Sequence, residues 1–153
     1  MNNPVNASTI HASAVLIGPK AVLIRGPAGA GKSQLVWDLL QAAAQGALPF
    51  ARLVADDRAQ IEACAGRLLV RPAPALAGML EIRGLGIRRL PYEPLAAVGL
   101  VVDLAAEDAA RYPGSEAEQT TIGEVGLPRL AVAAGMPPLP IVLAFLKAPP
   151  AGN

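Results

Sequence analysis

The stretch LIRGPAGAGKSQLVWDLL, residues 23–40, passes from an apolar run to a turn of Gly and Ala, then Lys32-Ser33, then an amphipathic segment. Gly26, Pro27, Ala28, Gly29, Ala30, Gly31, Lys32 and Ser33 satisfy the phosphate-loop pattern G-x-x-x-x-G-K-[ST] in full. Small residues suit such a turn because successive backbone N–H groups must curl around phosphate oxygens, and side chains at Gly29 or Gly31 would block the approach. A helix starting near Lys32 adds unpaired N–H groups and the positive end of its dipole. Lys32 is the candidate for the terminal phosphates and Ser33 for Mg²⁺. The pattern names a nucleotide or polyphosphate and leaves the acceptor open.

Working outward, the apolar positions Leu35, Val36, Leu39, Leu40 and Ala43 recur with helical period, and Gly46 and Pro49 end that helix. Upstream, SAVLI and AVLIR flank Gly18-Pro19-Lys20 and predict an antiparallel hairpin. The first dozen residues are polar and read as loose. Downstream, ARLVADD is a buried strand that delivers Asp56 and Asp57 at its C-terminal end. AQIEAC and RLLVRP form a second hairpin around Ala65-Gly66, followed by a surface connection through Pro72, Pro74 and Gly78. MLEIRGLGI reads as a strand running into a glycine-punctuated loop, and VGLVVDLA as the most β-branched strand. Residues 105–124 read as acidic and turn-rich, and LPRLAVAAG and PIVLAFLK as final elements of open type. Strands alternating with a helix and hairpins predict an α/β domain on a mixed sheet.

The 153 residues fit one domain, large enough to bury about 70% of the surface of the unfolded chain, with loose ends at 1–8 and 148–153. Thirteen Lys and Arg against twelve Asp and Glu leave a charge of +1 with no block of like charge, and aromatic side chains are few. That balance argues against nucleic acid as a partner. The longest uncharged run, Leu130 to Leu146, carries Pro137, Pro138 and Pro140, which speaks against a membrane-spanning helix. A lone cysteine, Cys64, and no secretory leader point to the cytoplasm, and Cys64 is expected to be a buried small apolar residue.

A phosphate loop needs an acid at a neighbouring strand end to hold Mg²⁺ through water. Two places supply one, Asp56-Asp57 and Asp103, and Asp103 reads equally well as the end of a core strand. Adjacent residues of a regular strand face opposite ways, so Asp56 and Asp57 can share one site only if the strand has ended at Asp56. Glu81 and Arg83 on one face, followed by Gly84 and Gly86, read either as a metal-side acid with a phosphate-side cation or as a surface salt bridge. His11, the only histidine, reads from its position alone as a tail residue.

IHASAVLI, GPAGAGKS, LVADDR and LEIRGLGI occur in one order, with weaker similarity in GSEAEQTTIGEVGLPRLAV, and over residues 8–133 the chain resembles the catalytic domain of HPr kinase/phosphorylase in a short form without the N-terminal domain. The resemblance implies a P-loop domain similar to that of phosphoenolpyruvate carboxykinase, assembled as a hexamer. It implies transfer of phosphate from ATP, or sometimes pyrophosphate, to a serine of the phosphocarrier HPr, with phosphorolysis in reverse. By position it assigns Lys32 and Ser33 to phosphate and Mg²⁺, Asp56 and Asp57 to metal water and the serine hydroxyl, Glu81 to the metal side, and His11 to the active site. The family usually has Glu where Gln34 stands here. Its arginine-bearing segment is not recognisable in AAGMPPLP, and its helical tail is absent after Lys147. Two rivals remain: an ATP-sensing regulatory module without efficient catalysis, and a small-molecule kinase whose lid would use Arg88-Arg89.

Overall fold

The chain, described in a computed structural model for residues 8–110, 114 and 116–151, begins with β1 (Ser8–Ile10), bends at His11 and runs into β2 (Ala12–Ile17). Gly18, at φ 58°, turns it back into β3 (Lys20–Arg25), which pairs antiparallel with β2 from Ala12↔Arg25 to Ile17↔Lys20. The predicted hairpin is present. α1 (Lys32–Ala44) follows, and Gly46, at φ 88°, turns the chain out of it. Then come β4 (Ala51–Ala55), β5 (Ala59–Cys64), β6 (Arg67–Pro72), β7 (Met79–Ile82), β8 (Gly86–Arg89), β9 (Ala96–Leu104), β10 (Gln119–Ile122), β11 (Val125–Val132) and α2 (Pro138–Lys147).

The fold is α/β on a mixed sheet, as expected. Its nine strands run β1-β5-β6-β9-β3-β2-β4, with β11 also on β9 and β10 on β11. β9 is the hub. It pairs parallel with β3 and β11 but antiparallel with β6, which takes its N-terminal end while β11 takes its C-terminal end.

Alternation along the strands fills two cores. On one face Val22 and Ile24 of β3 join Leu35, Val36 and Leu39 of α1; on the other Ala21 and Leu23 join Ile61, Leu68, Val70 and Val101. Each fully buried aliphatic side chain contributes about 1.5–3 kcal/mol, so the α1 stripe read from sequence anchors the helix to the sheet. In β9 the parity changes: Ala96 and Val98 lie in the second core, whereas Leu100, Val102 and Leu104 lie in the first. Gly99 sits at the register shift between Ala21↔Val98 and Val22↔Leu100 as a β-bulge. A Cβ there would stand 2.7 Å from the Lys20 Cβ, so the close approach of β3 requires glycine.

Several expectations are corrected. Ser8–Ile10 and Ala12 onward are paired strands, so the looseness expected through residue 12 fails there, and its part at residues 1–7 lies outside the described residues. At the other end 148–151 follow α2 without regular structure, and 152–153 lie outside the description. The glycine-punctuated loop after β7 returns as β8, giving a separate two-stranded hairpin, because Gly84 and Gly86 adopt positive φ. The segment 105–124 contains β10. Cys64 is exposed, at the end of β5 on the same parity as Gln60 and Glu62. Among the described residues no helix is long and apolar enough to cross a membrane; α2 spans only ten residues, with Pro138 and Pro140 in its first turn.

Candidate active site

β3 ends at Arg25 and the chain turns through Gly26–Gly31 into α1. A Cβ on Gly26 would lie 3.1 Å from the Leu104 Cβ, so glycine is what lets the loop start against β9. Gly31, at φ 101°, is the N-cap, and no side chain caps the helix. The first-turn amides therefore face the loop as an anion cradle. Lys32, only 8% exposed, donates from Nζ to the carbonyl oxygens of Gly26 at 2.7 Å and Pro27 at 3.2 Å.

β4 ends at Ala55, which meets the condition under which both aspartates can serve one site. Asp56, 7% exposed, points inward: its Oδ1 accepts hydrogen bonds from Ser13 Oγ at 2.8 Å and Ser33 Oγ at 2.6 Å, and its Oδ2 accepts the Glu81 N–H at 3.1 Å. One carboxylate thus joins the phosphate loop, the first hairpin and β7. Asp57, at φ 68°, turns the other way in a tight turn closed by the Arg58 N–H on the Asp56 carbonyl. Asp tolerates this left-handed conformation better than most residues. The Asp57 N–H donates to Ser13 Oγ at 3.1 Å and its carbonyl accepts the Ala12 N–H at 3.2 Å, which fixes the turn at both ends.

Asp57, Lys32, Ser33, Gln34, Glu81 and Arg83 all line one cleft of about 760 Å³, with Ala28, Gly29 and Gly31 in its wall. Gln34 donates from Nε2 to Asp38 at 2.9 Å along the helix. His11 is exposed at the bend before Ala12; it is not part of the cleft wall but is one residue from the amide that holds Asp57. Arg88 and Arg89 lie exposed in β8, outside the cleft wall. Ser33, Asp56 and Glu81 offer hard oxygen donors of the kind Mg²⁺ takes together with substrate phosphates. Among the described residues no group of three or more His, Cys, Asp or Glu forms a metal cage, which agrees with a cation held partly by phosphate. Ser33 donates its proton to Asp56, leaving oxygen lone pairs for such a cation.

Asp103 belongs elsewhere. It accepts from Arg25 at 2.7 and 2.8 Å and from Arg129 at 2.6 Å, and Arg129 also grips Asp108 at 2.8 and 2.9 Å. Burial pushes the Asp103 carboxyl up, but the hydrogen bonds and charges of Arg25 and Arg129 outweigh it and hold the group below its ordinary value. Hydrogen bonds to Asp108 and Asp103 hold Arg129 above its own. Of the two sequence readings for Asp103, the structure shows the end of a core strand. Ser13 is the residue the sequence reading missed: it is 0% exposed, and its only local signal is a hydroxyl inside an apolar run.

Residues 4–91 match the HPr Serine kinase C-terminal domain. The chain is 32% identical over 136 residues to the HPr kinase/phosphorylase of Geobacillus thermodenitrificans, covering 82% of this chain and 42% of that protein. It is 36% identical over 106 residues to that of Lactococcus lactis subsp. lactis, covering 69% and 31%. The chain thus spans less than half the length of these relatives. In fold it is similar to the Hpr(Ser) kinase/phosphatase from Coxiella burnetii, at TM-score 0.71 and 21% identity over 92% of this chain and 88% of that one. With its phosphate loop, twin aspartates and β7–β8 hairpin gathered at one cleft, the chain belongs to the HPr serine kinase C-terminal domain family.

Proposed function

We propose that residues 1–153 act as one catalytic domain that binds Mg-ATP in the Gly26–Ser33 cradle and transfers the γ-phosphoryl group to a serine of an HPr-type phosphocarrier. The observation that carries this reading is the 2.6 Å hydrogen bond from Ser33 to Asp56, which ties the cradle to the strand end that bears Asp57. Phosphoryl transfer asks mainly for positioning and charge neutralisation. Backbone amides of the loop and the Lys32 ammonium bind the phosphates. Asp57, in the cleft wall, accepts the proton of the serine hydroxyl as its oxygen bonds to phosphorus and the bond to the β-phosphate oxygen breaks. Asp56, Ser33 and Glu81 would hold Mg²⁺, which when bound neutralises phosphate charge. His11 belongs to the rim beside Asp57.

Incubation of the protein with labelled ATP, Mg²⁺ and HPr tests the proposal: phosphoserine on HPr is the expected product. Tight ATP binding with no label on HPr would instead favour a nucleotide sensor, a reading supported by Gln34, whose amide is engaged with Asp38 where a carboxylate would add negative charge to the cleft.

A further inference from the structure

A second cavity, of about 310 Å³, lies across the phosphate loop from the acid-lined cleft. The two share Ala28 and Gly29 as a common wall. Its other walls come from the end of β9 and from the segment between β11 and α2, chiefly Leu104, Val132, Ala134 and Met136. Its volume is at the lower end of the ~300–1,000 Å³ of small-ligand clefts. All twelve lining residues are Gly, Ala, Pro, Val, Leu or Met, so no side chain there carries a hydrogen-bonding N or O atom.

A nucleotide whose terminal phosphates face Asp57 must leave the cradle on the side away from the acceptor, over the backbone of Ala28 and Gly29. We propose that this slot receives the purine base of the phosphate donor and that it does not discriminate adenine from guanine; the inference rests on the nucleotide-binding reading above. The base stacks on apolar surface, with the half-exposed Met136 at the mouth, where a thioether makes a favourable contact with an aromatic ring. Selectivity between bases arises where a wrong base edge leaves a site's own polar groups unpaired, and a purely apolar wall has none to leave. The base therefore adds affinity without identity.

Titration calorimetry with ATP, GTP and inorganic tripolyphosphate, each with Mg²⁺, tests this on the intact chain. ATP and GTP should bind within about fivefold of each other, and both at least about tenfold more tightly than tripolyphosphate, a 1.4 kcal/mol difference. Ala134→Leu, an exposed position that does not disturb either core, should bring ATP down to the affinity of tripolyphosphate and leave tripolyphosphate unchanged. Tripolyphosphate binding as tightly as ATP would overturn the slot and spare the phosphate cradle. A hundredfold preference for one purine would overturn the lack of discrimination, and failure of all three to bind would overturn the cradle itself.

Discussion

Ser13 Oγ lies 2.8 Å from Asp56 Oδ1 and at the same time accepts the Asp57 N–H at 3.1 Å, so one buried hydroxyl holds both aspartates. Ser13→Ala leaves an orphaned N–H and removes one of three donors to Asp56. The expected loss is about 1–3 kcal/mol of stability, read by urea unfolding. A fall in kcat larger than the change in KM for ATP should accompany it, since the side chain aims the acids without lining the cleft.

Asp57→Asn should leave the backbone unchanged, because Asn also accepts the left-handed conformation seen at φ 68°. Loss of the proton acceptor should lower kcat by at least about a hundredfold while the Kd for ATP stays put. Phosphorylation of HPr at the wild-type rate would end that assignment.

Lys32→Ala removes the ammonium that now rests on the Gly26 and Pro27 carbonyls. Charge-assisted hydrogen bonds are worth about 1.5–3 kcal/mol, so the Kd for ATP should rise at least about tenfold, measured by calorimetry. Unfolding midpoints should shift little by comparison, because the chain beyond the loop keeps both cores.

Gln34→Glu gives up the hydrogen bond to Asp38 and adds a carboxylate to the cleft wall. The expected outcome is transfer that saturates at lower Mg²⁺, read from a metal titration of the phosphotransfer rate. An unchanged titration would show that position 34 does not feel the cation.

Acid should weaken the fold through Asp103. Its folded value lies below the ordinary 3.8, so its contribution is fully present above that pH and is lost as pH falls through the depressed value. In urea unfolding, the wild type should exceed Asp103→Asn in stability at pH 7, and the gap should close below pH 3.8.

The elements legible in the sequence are those with strong local signals: the β2–β3 hairpin around Gly18, the cradle, the α1 stripe and the acids after β4. What escaped was set by partners far along the chain. β8 is a strand only because β7 lies beside it, and β11 and α2 are apolar runs too uniform for periodicity to separate. Cys64 could have been read correctly, since its parity follows Glu62 and not Ile61. Ser13 could not, because nothing near it announces that Asp56 will arrive forty-three residues later.

The one extra residue that Gly99 inserts into β9 also acts as a phase marker for everything after it. With Gly99 deleted, Val101 and Asp103 would exchange sides with Leu100, Val102 and Leu104. A carboxylate would then be driven beneath α1 while its two arginines kept their places. Length changes in the strand are therefore more damaging than changes of side chain, and the tolerance of this chain to insertion or deletion should end abruptly at β9.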